Sequence, residues 1–186
     1  RSMFSYLDDS DFYTVDLILT ENQGMPRSDK FALIFKTVFD RKICRDELDD
    51  LSQEFDQKLS EVSDKPSFVD GSVDFLKKKF LTHDLFIISA APECEIQERL
   101  HQEGIFELFK GVFGSLSDKS VKILEVIDSH SLSSDECLVI GDTFSDYQAA
   151  SKTVIKFIQI GNHESLVDFD CLRAKNFLNM DIFFTT

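Results

Sequence analysis

Hydrophobic positions recur with two different spacings along this 186-residue chain. Up to about residue 66 they recur every three to four positions, which predicts amphipathic helices. The first covers about 11–21, and after a Gly-Met-Pro break two more cover 25–39 and 45–62. From about residue 67 onward, short continuous apolar runs alternate with helical patterns. That alternation predicts an α/β fold with a parallel sheet.

The second part of the chain is expected to hold four helices, four strands and a fifth strand at an edge. The predicted strands contain short continuous apolar runs, which are typical of parallel strands buried on both faces. The predicted helices cover 71–80, 92–102, 119–129 and 144–151, and the predicted strands cover 84–89, 111–114, 137–140, 155–160 and, at the edge, 180–184.

The apolar run that ends at Gly141-Asp142 carries the clearest chemical signal. Such a run predicts a buried strand whose end delivers a carboxylate into the crevice where open α/β sheets bind ligands. Asp146 follows one helical turn later. Because Mg²⁺ takes one or two protein carboxylates and completes its shell with water and phosphate oxygens, Asp142 and Asp146 are candidate metal ligands. The alternative is ordinary turn and N-cap chemistry, which also favours Gly-Asp after a strand.

Ser89 and Lys119 are candidate phosphate contacts. Ser89 and Ala90 end an apolar run just before a proline and a helical pattern, and a hydroxyl beside the N–H groups of a helix N-terminus suits a phosphate oxygen. The alternative is that Ser89 only caps that helix. Lys119 falls in the first turn of a helix that Ser117 or Asp118 can cap, where the helix dipole disfavours a cation. A role as a point-charge partner for phosphate and carboxylates explains that placement.

Three of these segments together resemble a known family. IISAAP at 87–92, SDKS at 117–120 and VIGDTFSDYQAA at 139–150 resemble, in this order and spacing, the second, third and fourth motifs of the haloacid dehalogenase superfamily. The resemblance is to its phosphoglycolate-phosphatase-like branch, which has a helical cap. MPRSDKFALIFKTVF at 25–39 and the helical pattern at 45–62 resemble that branch's cap insert.

The resemblance implies a fold, an activity and a set of roles. The fold is a Rossmann-like parallel sheet with a helical cap at 10–66 and a core formed by 67–186 together with 1–9. The activity is Mg²⁺-dependent hydrolysis of a small phosphorylated metabolite. The implied catalytic residues are Ser89 and Lys119, the substrate-binding residues are Ser89, Ala90 and Lys119, and the metal ligands are Asp142 and Asp146. Arg27, in the Pro-Arg-Ser-Asp-Lys turn of the cap, is a further candidate for substrate binding, and the alternative is ordinary solvation at a helix start.

One departure from the family bears on activity. The family's first motif is an apolar strand ending in Asp-x-Asp-Gly-Thr, which supplies the nucleophile and the general acid and base. Leu7, Asp9 and Ser10 are counterparts of the residues that follow this motif, so counting back puts the two aspartates at Ser2 and Phe4. Neither side chain can form the covalent intermediate or protonate the leaving oxygen. We therefore expect this chain to be inactive and to hold Mg²⁺ weakly or not at all.

Two hypotheses follow from the missing motif. In the first, the domain belongs to a phosphatase whose first motif lies outside this sequence. In the second, the chain is a nucleophile-less relative with a binding or regulatory role. Relocation of the pair to Asp168 and Asp170 is disfavoured, because only two apolar residues precede them and no Gly-Thr follows.

The missing strand also makes a structural prediction. In this family it lies between the strand ending at Ser89 and the strand ending at Asp142. Unpaired backbone groups inside a sheet are costly, so we expect the position to be filled by residues 1–7, filled by a neighbouring chain, or closed by the two flanking strands. Open edges would also give the chain a route to oligomers.

The amino-acid composition limits the classes of molecule that this chain is expected to bind. The net charge of −14, from 34 acidic and 20 basic residues, opposes binding to nucleic acid or to anionic membranes. The expected partner is a small phosphorylated molecule or phosphate. No apolar run reaches the ~20 residues of a membrane span, and the four cysteines show no metal spacing. We expect a cytoplasmic protein with reduced thiols.

Overall fold

The computed structural model describes residues 2–61 and 67–184. The chain divides into two compact units, residues 1–66 and 67–186, and each has its own apolar core. The predicted ends of the third helix at residue 62 and of the cap at residue 66 lie outside the described residues. No helix in the described part is both long and apolar enough to cross a membrane.

The described part of the first unit is helical. It contains a short 3-10 turn at Ser2–Phe4 and three α-helices, α1 (Asp9–Glu21), α2 (Arg27–Val38) and α3 (Arg45–Glu61). Asp8 begins α1 because its carboxylate accepts the N–H of Asp11 at 2.9 Å. Pro26 precedes α2 in an extended conformation that a proline adopts readily.

The N-terminal residues pack inside this first unit. Met3 and Phe4 are buried with Val15 and Ile18 of α1 and with three residues of α2. Phe4 is 2% exposed. Residues 1–9 were assigned to the α/β core from the sequence, but the structure places Met3 and Phe4 among the helices. This segment therefore does not supply a strand to the α/β unit.

The second unit alternates helices and strands, as the sequence predicts. Seven α-helices occur in the described chain, four of them here, with five strands between and after them. The elements are α4 (Ser72–Lys79), β1 (Phe86–Ile88), α5 (Glu93–Gln102), β2 (Gly111–Phe113), α6 (Lys119–Ser129), β3 (Leu138–Gly141), α7 (Phe144–Lys152), β4 (Lys156–Ile160) and β5 (Leu172–Ala174).

The strands form two parallel sheets instead of one. β1 pairs with β2, with Ile87 opposite Val112. The second sheet has the order β3–β4–β5, with Val139 opposite Phe157 and Gln159 opposite Arg173. Among the described residues, β1 and β3 are not hydrogen-bonded to each other, so closure of the flanking strands, one of the three outcomes considered, does not occur.

The predicted edge strand at 180–184 is wrong. Met180–Phe184 is a 3-10 helix, and the last strand is Leu172–Ala174, which the sequence analysis missed. Met180 is fully buried, and Asp181 forms ion pairs with Lys78 and Lys79 of α4. Side-chain anchoring on α4 therefore holds this segment, and no strand pairing is needed.

Candidate functional site

The candidate residues follow the carboxyl ends of the strands. Ser89 comes directly after β1, and Asp142 comes directly after β3. In open parallel sheets this edge is where ligands bind, because the loops and helix N-termini that follow the strands collect there. The site is described below from each loop in turn.

The loop after β1 is fixed by its backbone. Ser89 donates its N–H to the carbonyl of Phe113 at 2.9 Å and accepts the N–H of Leu116 at 3.2 Å, so this loop is bonded to the loop after β2. The Ser89 hydroxyl accepts the N–H of Ala91 at 3.1 Å. Helix α5 begins after Pro92, which makes no side-chain cap. Ser89 therefore shapes the turn before the helix, and its hydroxyl keeps a proton that it can donate.

Gly114 allows the two loops to approach closely. A Cβ atom at this position would lie 2.3 Å from the backbone nitrogen of Glu93 and 2.7 Å from the carbonyl oxygen of Ala91. Any side chain would push the loop after β2 away from the start of α5. The N–H of Gly114 also donates to the Glu93 carboxylate at 3.2 Å.

Asp118 caps the helix that carries Lys119. Its carboxylate accepts the N–H of Ser120 at 2.9 Å and the Ser120 hydroxyl at 2.5 Å, and it pairs with Lys152 of α7 at 2.9 Å. The Ser120 hydroxyl bond, followed by the bonds from Lys152 and the Ser120 N–H, lowers the pKa of Asp118 to about 2. Of the two caps proposed from the sequence, Asp118 is the one used.

Lys119 forms a buried ion pair with Asp146. The distance from Lys119 Nζ to Asp146 Oδ1 is 2.6 Å, and the two side chains are 9% and 13% exposed. This pair explains why a lysine occupies the first turn of α6, where the helix dipole alone would disfavour it. The sequence analysis placed both residues in one site, and the structure brings them together.

The second oxygen of Asp146 holds the loop after β3. Oδ2 accepts the Thr143 hydroxyl at 2.7 Å, the Thr143 N–H at 3.1 Å and the Asp142 N–H at 3.3 Å. Thr143 and Asp146 thus form a capping box at the start of α7. The sequence analysis did not name Thr143, although Thr-x-x-Asp before a helical pattern was the signal that could have found it.

Gly141 makes this arrangement sterically feasible. A Cβ atom there would lie 2.4 Å from Asp146 Cβ and 2.5 Å from its Cγ. Because a real Cβ does not approach other atoms so closely, a larger residue at this position would displace Asp146 and its ion pair with Lys119. The glycine before Asp142 therefore serves side-chain packing as well as the turn.

Asp142 differs from Asp146 in being accessible. It is exposed, and within the described chain its carboxylate has no recorded hydrogen-bond or ion-pair partner. Both oxygens of Asp146 are already engaged by Lys119 and the loop. The described residues contain no group of three or more acidic, His or Cys side chains that could hold a metal ion. By themselves they do not fit a Mg²⁺ site, and the metal roles of Asp142 and Asp146 stay predictions.

Arg27 lies in the first unit, on α2. Its guanidinium pairs with Asp56 of α3 at 2.5 Å and lies 4.0 Å from the centre of the Phe55 ring. These contacts link α2 to α3. Its predicted contact with substrate stays a prediction, as does that of Ala90.

Comparison with known proteins identifies the family. The model of haloacid dehalogenase-like hydrolases matches residues 26–160, which is most of the chain. The match includes Ser89, Lys119, Asp142 and Asp146. No curated protein matches the chain significantly.

Solved structures of this family share the fold. A predicted phosphoglycolate phosphatase from Haemophilus somnus superposes with a TM-score of 0.71 at 15% identity, over 95% of this chain and 88% of the other. A haloacid dehalogenase-like hydrolase from Streptococcus pneumoniae gives 0.66 at 19% identity, over 90% and 80%. A Bacillus subtilis protein classed as a HAD-hydrolase, in a form bound to magnesium, gives 0.61 at 16% identity, over 96% and 82%.

Removal of the Lys119 charge should destabilise the fold. We expect Lys119→Met to lower the free energy of unfolding by ~3 kcal/mol, because it leaves the Asp146 carboxylate, which is only 13% exposed, without its cation. Lys152→Met is the matched control, since Lys152 pairs with the exposed Asp118 and should cost less than ~1 kcal/mol. Urea unfolding measures both. Equal losses in the two variants would contradict the importance of the buried pair.

The lowered pKa of Asp118 makes a pH prediction. A carboxylate whose pKa is lower in the folded chain stabilises the fold above its ordinary pKa of 3.8, and this contribution disappears as the pH falls to about 2. Ser120→Ala removes the main cause of the shift. The variant should be less stable at pH 7. The difference in free energy of unfolding between the variant and the unmodified chain should become smaller as the pH falls from about 4 to about 2.

Unfolding of both proteins at a series of pH values tests this. Ser129→Ala is the control, because its hydroxyl lies on the same helix but bonds the carbonyl of Val126 and no carboxylate. A deficit for Ser120→Ala that is constant across this pH range would show that the hydroxyl does not act through Asp118.

Proposed function

The chain belongs to the haloacid dehalogenase-like hydrolases, and from this premise we propose that its second unit binds the phosphoryl group of a small phosphorylated molecule. The observation that carries the proposal is the buried Lys119, held at the edge of the strand ends by Asp146. An ammonium fixed in this way suits a phosphate oxygen, and the Ser89 hydroxyl and the N–H groups of a helix N-terminus are proposed to complete the site. Lys119 retains donors beyond the one that Asp146 accepts.

Ser89 is proposed as the second contact. Its hydroxyl accepts the Ala91 N–H, which leaves its own proton free for an oxygen of the ligand. The loop that holds Ser89 is bonded to Leu116, three residues before Lys119. These backbone bonds would keep the hydroxyl and the ammonium on the same side of the sheet edge. Ala90, between Ser89 and Ala91, would contribute its N–H.

We propose that the described residues bind the ligand without hydrolysing it. Hydrolysis of a phosphate ester by this chemistry needs an attacking group and a group that protonates the leaving oxygen. Of the two acidic residues that follow β3, Asp146 is occupied by Lys119 and Thr143, and Asp142 is exposed. Phe4, where the counted-back motif would have an aspartate, is buried among helices.

Because the described residues by themselves do not fit a Mg²⁺ site, the proposal includes no step that uses the ion. We propose that Asp142 alone would contact Mg²⁺, and a single carboxylate predicts weak binding. The phosphate site does not determine the rest of the substrate. We propose that Arg27 of the first unit contacts that part.

The chain should not turn over a generic phosphate ester. With Mg²⁺ and p-nitrophenyl phosphate, we expect the release of nitrophenol to equal that of the Asp142→Asn variant and of buffer, because a nucleophile is lacking. The absorbance of nitrophenolate measures the rate. A Mg²⁺-dependent rate that Asp142→Asn abolishes would contradict the proposal and favour an active phosphatase.

Inorganic phosphate should bind weakly and through Lys119. We expect Lys119→Met to weaken binding about tenfold or more, the loss of one charged hydrogen bond. Lys122→Met, one turn further along α6, should leave the affinity unchanged, because Lys122 pairs with Glu125. Ser89→Ala is a second test that leaves the ion pair intact. NMR titration below the unfolding temperature measures all four chains, and equal affinities would contradict the site.

A further inference from the structure

A surface pocket in the second unit lies apart from the proposed phosphate site. Its volume is about 510 Å³, and its lining comes from α7 and from the residues at the starts of β4 and β5. Lys156, which lines it, is paired in register with Leu138 at the start of β3, whereas Asp142 follows the end of that strand. The pocket therefore lies at the end of the sheet opposite Asp142. Its size falls in the range of about 300–1,000 Å³ that is typical of small-molecule sites.

Part of the pocket lining is aromatic and fixed by packing. The ring of Tyr147 lies edge-on to that of the buried Phe157, with 5.6 Å between their centres and an angle of 80° between their planes. The ring of Phe169 packs against the same Tyr147 ring at 5.1 Å. Leu172, which is 40% exposed, adds aliphatic surface to the lining. These side chains offer an apolar surface to a planar ring, which prefers tilted or offset contacts with other aromatic rings.

Two opposite charges line the same pocket. Lys156 is the first residue of β4, and Asp170 lies two residues before β5, which is the neighbouring strand. Within the described chain neither charged group has a recorded hydrogen-bond or ion-pair partner. Because charged hydrogen bonds are stronger than neutral ones, a ligand that carries a carboxylate and an ammonium gains most from this pair.

Two hydroxyl groups add to the polar part of the lining. Tyr147 and Ser151 are one helical turn apart on α7, so they lie on the same face of the helix, and both line the pocket. Among the described residues neither hydroxyl has a recorded partner. A hydroxyl can donate or accept, so these two groups can bond either charged end of a ligand.

The net charge of the ligand follows from these groups. The net charge of −14 and the carboxylate of Asp170 oppose an aromatic acid, whereas Lys156 opposes an aromatic amine. A molecule that carries both charges is neutral overall and pairs with both side chains. We infer that the pocket binds a free aromatic α-amino acid. Its carboxylate pairs with Lys156 and its ammonium with Asp170, while its ring packs against the apolar lining.

Titration of the whole chain with L-phenylalanine, followed by NMR, tests the inference. We expect saturable changes in amide shifts. Phenylpropionate lacks the ammonium, phenylethylamine lacks the carboxylate, and L-alanine lacks the ring. Each should bind about tenfold more weakly or worse, because each loses a charged hydrogen bond or the apolar contact. The absence of saturable shifts with phenylalanine, or equal affinity for any of the three analogues, would overturn the inference.

Substitutions of the two charged residues test their roles. Lys156→Met and Asp170→Asn should each weaken phenylalanine binding about tenfold or more. In the Lys156→Met chain, phenylalanine should also lose its advantage over phenylethylamine. The matched controls are Lys175→Met and Asp168→Asn, which change exposed residues outside the pocket lining and should leave the affinity unchanged. Equal affinities in all four variants, with thermal unfolding showing that each is folded, would overturn the inference.

The positions of the shifted amides locate the ligand. The changes should concentrate at Tyr147 and Ser151 and at the starts of β4 and β5. Changes confined to the loops after β1 and β3 would place phenylalanine at the strand ends and would overturn the inference. The inference does not rest on the proposed phosphate site. A failed phosphate titration leaves all of these outcomes unaffected, so the two proposals fail separately.

Discussion

The buried ion pair between Lys119 and Asp146 is the interaction on which the site depends. It joins the start of α6 to the start of α7, and these helices follow different strands. The same carboxylate holds Thr143 and the N–H of Asp142, so one side chain orients a cation and a loop together. Removing either charge from such an environment would leave the other uncompensated, which is far more costly than losing a surface pair.

This ion pair gives the two acidic residues that follow β3, Asp142 and Asp146, different roles. By spacing alone they are equivalent candidates for a metal ion. In the structure Asp146 is an internal support whose oxygens are already satisfied, and Asp142 is the exposed carboxylate. The difference comes from Gly141, since only a residue without a Cβ lets Asp146 fold back against the strand end. Asp146 is therefore committed to Lys119 and to the loop, whereas Asp142 is open to solvent.

The division of the strands is the second constraint. Parallel sheets are stable when both faces are covered and interior strands are paired on both sides. Here α6 and α7 form a continuous surface, while β1 and β3 each keep one unpaired edge above it. Of the outer strands, β2 has only three residues and β5 carries the charged Arg173. The sequences of β1 and β3 suit full burial, yet both strands are only half-buried.

The sequence by itself determined the order of helices and strands, the family, and the residues that gather at the strand ends. These features depend on the local spacing of hydrophobic residues and on short motifs, in which a glycine, a helix cap and an apolar run lie within a few positions of one another. The sequence did not determine the last strand, because Leu-Arg-Ala is too short to show the alternation of apolar and polar residues that predicts a strand. Met-Asp-Ile-Phe-Phe has a strand-like sequence, but side-chain contacts with α4 hold it as a 3-10 helix. Only the tertiary structure decided that Phe4 joins the helical unit, that Asp146 pairs with Lys119, and that β1 and β3 stay apart. Each of these outcomes depends on contacts between residues that are far apart in the sequence. Packing and charge compensation between those segments decide which contacts form.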